Sequence, residues 1–290
     1  MDLPTFLTQC LNAVQYGLLL FLVASGLTLI FGIMGVINLA HGSFYMIGAY
    51  IAFGLAPLFG GQFLLQLLAG VALAALLGFL LEWLFFSYLY QRNHLQQVLM
   101  TYSLILVFEE ARSLIYGNDV HGVQPPAWLS GTIALGDLMR YPVYNLFASA
   151  ACLVVAAGLY VLINHTRLGM KIRAGASNRD MARGLGVNIR ILYRIVFAAG
   201  VALAALAGMI AAPMSSVYPG MGAQVLIICF VVVVIGGVGS ISGALIASLL
   251  VAFVDTFGKV MFAQYSGLAV YLLMAAVLVW RPEGLKGKGY

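Results

Sequence analysis

Residues 26–53 read GLTLIFGIMGVINLAHGSFYMIGAYIAF. The stretch is apolar enough for a bilayer, yet Gly32, Gly35 and Gly42 interrupt it, and Asn38, His41 and Ser43 sit in its middle. Irregular backbone at membrane depth is tolerated only where protein or a water-filled path satisfies its polar groups. The reading is two membrane helices joined by a break, with polar side chains beside the freed backbone. Asn38 and His41 then either hydrogen-bond that backbone or, with Ser43, belong to a translocation path. An intramembrane hydrolase built on Ser43 and His41 is disfavoured. The two are only two positions apart, and no orienting carboxylate lies nearby.

The rest of the chain agrees with a membrane reading. Of its 290 residues 63% are apolar and 8% are charged, against roughly 25% charged in a soluble domain. So few charges cannot coat a soluble globule, and so hydrophobic a chain does not stay disordered. Continuous apolar runs also exclude a transmembrane β-barrel, which alternates in short segments. The expected fold class is an all-α polytopic membrane protein of about eight transmembrane helices with Gly-broken or re-entrant segments. Eight runs lie at about 9–31, 42–59, 63–90, 95–116, 142–164, 194–214, 223–238 and 240–258, with a ninth at about 265–281. The 42–59 and 223–238 runs are near the lower limit for a span, roughly 17 residues, so one of the nine is expected to be short, re-entrant or paired with a neighbour. The first run has no basic residue before it, so it reads as a retained span rather than a cleaved signal.

Charge orients the chain. Between Asn164 and Arg194 lie Arg167, Lys171, Arg173, Arg179, Arg183, Arg190 and Arg194 against the single acid Asp180. With Arg92 and the tail residues Arg281, Lys286, Lys288 and Glu283, this side collects eleven basic and two acidic residues. The other side receives Arg112, Arg140 and Lys259 with Asp2, Glu109, Glu110, Asp119, Asp137 and Asp255. The positive-inside rule places the basic side in the cytoplasm, with an outer N-terminus and an inner C-terminus. The net charge of +5 is thus a topology signal, and no nucleic-acid partner is expected. The loop 117–141 is the one long outer connection. It reads as a cap or interfacial hairpin, with Trp128 and Tyr141 at headgroup level.

Small residues mark tight packing. Gly200, Ala204, Gly208 and Ala212 recur every four residues, and so do Gly239, Gly243 and Ala247. Such ridges let helix backbones approach closely in lipid. Ionisable residues within the spans are sparse. Glu109 with Arg112, and Asp255 with Lys259, have the spacing of ion pairs on one helix face. Glu82 is left near an inner end, to snorkel or pair. No carboxylate is clearly at mid-span, which argues against an ion-coupled carrier. Cys10, Cys152 and Cys229 form no metal or redox pattern and read as small buried hydrophobes. No phosphate loop of the GxxxxGK[ST] type occurs, so no ATP site is expected in this chain.

The basic stretch 167–195 is longer than topology alone requires. Its middle, Asn178 to Leu185, has the pattern of a short amphipathic helix, with Asn178 as N-cap and Gly186 as a stop. With the small residues Ala182 and Gly186, it suits a cleft in a partner protein. A solvated anchor is the alternative.

Four stretches together resemble the permease subunits of branched-chain amino acid ABC importers, of the type usually encoded first of the two permeases. They are residues 26–50, IRAGASNRDMARGLGVN at 172–188, VVVVIGGVGSISGALIASLLV at 231–251 and RPEGL at 281–285. The resemblance implies a single transmembrane permease domain over residues 1–290 in the bacterial inner membrane, with a cytoplasmic coupling loop at about 165–193. It implies two cytoplasmic ATP-binding subunits, a second homologous permease, a periplasmic solute-binding protein and no cofactor. By the same resemblance Ala182 and Gly186 match the helix that seats in the ATPase, with Asn178, Arg179, Asp180 and Arg183 as polar contacts. The segment departs from the family pattern at Arg183 and Gly184, where more apolar residues are expected. The solute stays open between branched-chain amino acids and urea, amides or another small organic solute. A stand-alone carrier or channel and a membrane scaffold are the lesser alternatives.

Overall fold

A computed structural model describes residues 2–90, 92–135, 139–261 and 263–287. Asp137 and Lys288, which entered the charge reading, lie outside them. The described chain is almost wholly helical. Its apolar runs leave the backbone no partner but itself, and an α-helix satisfies every interior N–H and C=O within one segment.

The first helix, α1 (Leu3–Met34), starts with a proline in its first turn and ends at Gly35, whose φ of 65° permits the left-handed cap. An irregular link leads to α2 (His41–Leu55). Next, α3 (Phe63–Leu81) runs through a π-helical turn (Glu82–Phe86) into α4 (Ser87–Leu89). Helix α5 (His94–Tyr116) returns, capped by Asn93, whose side chain accepts from the Gln96 amide. The 117–142 region holds an antiparallel hairpin of β1 (Thr132–Leu135) and β2 (Met139–Pro142). Helix α6 (Val143–His165) leads to two short helices, α7 (Arg167–Ser177) and α8 (Arg179–Gly184). The last spans are α9 (Ile189–Ala211), α10 (Met221–Gly236), α11 (Ile241–Met261) and α12 (Ser266–Trp280).

Among the described residues, five helices are long and apolar enough to cross a membrane: α1, the α3–α4 segment Phe63–Leu89, α6, α9 and α11. Helix α5 has the length, but Glu109, Glu110 and Arg112 occupy its last turns. Helices α10 and α12 are shorter and apolar. All nine apolar runs are therefore helical over their described residues, and their helices form one bundle. One end carries α7 and α8 and is basic; the other carries the hairpin. Helix α1 is the central post, packed on α6, α9, α10 and α11, while α9 packs on α1, α2 and α3.

The glycines separate into two kinds. Only Gly35 breaks the 26–53 stretch. Gly32 and Gly42, expected as interruptions, are helical and mark close approach instead: a Cβ on Gly32 would lie 2.9 Å from the Gly239 Cα. On α9, Gly200 abuts Gly26 and Ile30, and Gly208 abuts Tyr45. Gly239 lies in the turn before α11, at φ 79°, rather than on the expected helical ridge. Tyr141 is a further correction. It is 2% exposed, and its hydroxyl lies 3.0 Å from Asn12 Oδ1 and 3.1 Å from Gln15 Oε1, so it fastens the hairpin to α1 rather than meeting headgroups. Burial pushes its phenol above the ordinary value. Trp128 is exposed and meets Phe147 edge-on.

Candidate functional site

The break after α1 starts at the basic end and finishes deep in the bundle. His41 Nε2 lies 2.9 Å from the Val23 carbonyl, which lies about three turns back along α1 from Met34. Contact with a carbonyl requires that nitrogen to carry the proton. Asn38 Oδ1 accepts the Ala40 amide at 3.0 Å, and the His41 amide donates to the Asn38 carbonyl at 3.2 Å. The link is thus tied down by its own polar residues, the first of the two roles expected for Asn38 and His41. Asn38 and His41 are fully buried, and Ser43 is 4% exposed. Among the described residues Asn38 Nδ2 and His41 Nδ1 have no hydrogen-bond partner, an expensive condition at this depth.

A second break faces the first. Helix α9 ends at Ala211, and residues 212–220 turn back before α10 starts at Met221. Gly220 takes φ 79° to start that helix. The opening turns of α2 and α10 then meet. A Cβ on Gly222 would lie 2.7 Å from the Gly42 carbonyl oxygen, and one on Gly42 would strike the Gly222 carbonyl and lie 2.8 Å from the Leu226 Cβ. Two helix starts therefore oppose one another inside the bundle. No sequence spacing announced this pairing, because 180 positions separate its members.

The basic end is built from capped turns. Thr166 Oγ1 accepts the Gly169 amide, and Asn188 Oδ1 accepts the Ile191 amide. Arg173 donates to the Ile163 carbonyl, holding α7 against the end of α6. Asn178 caps α8 as expected, accepting from Asp180 and Met181, and Gly186 ends it at φ 86°. Ala182 is turned inward at 2% exposure. The outward surface of α8 is Arg179, Asp180, Met181 and Arg183, followed by Leu185 and Gly186. Met181 and Leu185, 66% and 80% exposed, are apolar side chains on this surface that sequence reasoning passed over. The signal was an apolar pair four residues apart within a charged run.

Two more sequence stretches converge here. The Leu285 amide donates to the Ile235 carbonyl at 2.8 Å and the Lys286 amide to the Gly236 carbonyl at 3.2 Å, so the RPEGL tail closes the orphan C-terminal carbonyls of α10. Gly236 and Gly243 abut one another across the turn into α11.

Among the described residues six of the charged groups form ion pairs. Arg194 Nε donates to Glu82 Oε2 at 3.1 Å, with the Tyr90 hydroxyl on the other oxygen at 2.9 Å. Arg112 meets Glu109 at 3.2 Å, and Lys259 meets Asp255 at 2.5 Å. All three sit toward helix ends; spacing anticipated the pairs of Arg112 and Lys259 but not that of Glu82. Among the described residues no group of three or more His, Cys, Asp or Glu gathers as a metal site would require. A recess of about 500 Å³ opens at the basic end between α1, α6, α7 and α11, on the face of α1 roughly opposite His41. Asn38, His41 and Ser43 do not line it.

Residues 9–279 match the family model described as the permease component of branched-chain amino acid transport systems. The chain belongs to this family. It is 31% identical to the high-affinity branched-chain amino acid transport system permease protein BraD of Pseudomonas aeruginosa, over 98% of this chain and 96% of that protein. It is 27% identical to the corresponding permease protein LivH of Escherichia coli K12, with the same coverage. The ribose import permease protein RbsC of Escherichia coli K12 is 28% identical over 54% of this chain and 46% of its own length. No solved structure gave a significant match. Membership places the chain among multi-pass inner-membrane permeases. The family match begins within α1 and ends within α12, so both breaks and helices α7 and α8 fall inside it.

Proposed function

We propose that this chain is the permease subunit of an ABC importer that moves branched-chain amino acids delivered by a periplasmic binding protein. ATP is hydrolysed on two separate cytoplasmic subunits, and a second homologous permease completes the membrane channel. The N-terminus is periplasmic and the C-terminus cytoplasmic. The near full-length likeness to permeases named for these amino acids carries the reading. The concentration of basic residues on α7, α8 and the start of α9 supports the orientation. Urea, an amide or another small organic solute is the second reading, because no side chain at the breaks selects a branched apolar group.

Coupling runs through the loop 165–193. Arg179, Asp180, Arg183 and Gly186 face the ATPase together with Met181 and Leu185, while Asn178 and Ala182 hold α8 in place. Movement of α8 passes into α9, and through it to α1, α2 and α3, because these helices share backbone-to-backbone contacts that do not compress. The junction of α2 and α10 is the pivot. Asn38, His41 and Ser43 border the path when it opens, and the unpaired Asn38 Nδ2 and His41 Nδ1 then gain partners.

Leu185→Asp tests the coupling assignment, since that side chain is 80% exposed. The expected outcome is a normally folded permease whose ATP-driven uptake falls at least about tenfold, the cost of one apolar anchor at an interface. Undiminished uptake would contradict it. Proteoliposomes holding the whole transporter and its binding protein, offered labelled leucine, isoleucine, valine and urea, decide the solute.

A further inference from the structure

The π-helical turn at Glu82–Phe86 lies toward the basic end of the bundle, where Glu82 meets Arg194. Beside it lies a groove of about 610 Å³ lined by Trp83, Ser87, Tyr88, Arg92, Arg190 and Arg194. Three guanidinium groups thus share one recess. Arg194 is already paired with the buried Glu82 carboxylate. Arg92 and Arg190 have no carboxylate within ion-pair distance among the described residues.

The groove is held in shape. Gln97 Nε2 donates to the Leu89 and Arg92 carbonyls at 3.1 and 3.2 Å, fixing the link that carries Arg92. Arg190 and Arg194 are one turn apart on α9. Glu82, bonded to both Tyr90 and Arg194, ties that helix to the groove's floor. Like positive charges held together in a recess on a rigid frame form an anion site rather than a solvated surface.

Its surroundings say which anion. Trp83 and Tyr88, 50% and 72% exposed, are the residue types found at headgroup level. The helix surface leading to them carries exposed Leu76, Leu80 and Leu84, so the recess opens beside hydrocarbon. Basic pockets between membrane helices on the cytoplasmic side suit lipid phosphates.

We infer that this groove binds the phosphate headgroup of an anionic phospholipid, with its acyl chains along Leu76, Leu80 and Leu84. Arg92 and Arg190 supply charge-assisted hydrogen bonds, and the Ser87 hydroxyl lies within the same recess. The inference needs only the membrane placement, and the solute reading stands or falls separately.

Native mass spectrometry of the purified full chain tests it, with phosphatidylglycerol, phosphatidylcholine and inorganic phosphate as probes. Phosphatidylglycerol is retained over phosphatidylcholine, and inorganic phosphate does not displace it. Arg92→Gln and Arg190→Gln each weaken retention about fivefold, and the double variant about 25-fold. Arg167→Gln, a basic residue outside the groove, leaves retention unchanged. If the double variant unfolds, Arg92→Gln alone carries the test, because Arg92 is exposed on a link. Equal retention of the two lipids, displacement by inorganic phosphate, or an equal loss in Arg167→Gln would overturn the proposal. So would intact lipid retention in the double variant accompanied by loss of ATPase binding, which would make the groove a protein-docking site.

Discussion

The two breaks in the bundle are made differently. The α1–α2 link is secured from within: Asn38 holds the Ala40 amide, His41 reaches the Val23 carbonyl, and both side chains are fully buried. The α9–α10 link lies toward the hairpin end and is secured from outside. Val217 exchanges backbone hydrogen bonds of 2.8 Å with His121, and Tyr218 donates to Gln224 at 2.7 Å, while Ser215 and Ser216 are exposed. Buried polar contacts in a low dielectric are strong and costly to break; exposed ones compete with water. In the second break the Tyr218–Gln224 bond is the exposed one, so on the proposed pivot the first break would be the fixed side and the second the side that yields.

The contact the two breaks share should give the largest effect. Gly42→Val drives a branched side chain into the Gly222 backbone and the Leu226 Cβ, neither of which has a flexible end to swing away. Overpacking of this kind costs about 1–3 kcal/mol, occasionally more, and against backbone and a Cβ the upper end is expected. Folded protein recovered by size-exclusion chromatography in detergent should fall sharply. Normal recovery would mean that the two helix starts are not in contact.

The fixed break comes next. His41→Leu removes the bond to Val23 and leaves a mismatched volume beside Gly26, for an expected loss of about 1–3 kcal/mol. A thermal-shift measurement on the detergent-solubilised protein reads it. Tyr218→Phe, in the yielding break, should cost no more than about 0.5–1.5 kcal/mol. If Tyr218→Phe proves the more damaging of the two, the assignment of fixed and yielding sides is reversed.

How much of this was legible depends on the range of the interaction. The helices were visible because lipid leaves an apolar run no other regular structure. The cap at Asn178 and the ion pairs of Arg112 and Lys259 were visible because their partners lie within four residues. What escaped was long-range. Nothing near Glu82 in the chain names Arg194, 112 positions away, as its partner. Nothing near Tyr141 names Asn12. Small residues announced close packing without saying against what, so Gly32 and Gly42 were misread as breaks. Ala182 was assigned to the docking face by its size, but helix phase turned it inward and left Met181 and Leu185 outside.

The central claim is that this permease works only with partners. Reconstituting the tagged chain alone, and with the ATP-binding subunits, second permease and binding protein that co-purify with it, tests that claim most directly. The account predicts leucine uptake in the complete vesicles, dependent on ATP, and none in vesicles holding the chain by itself. Solute movement by the chain alone, without ATP, would contradict it and would leave the exposed surface of α8 without its proposed partner.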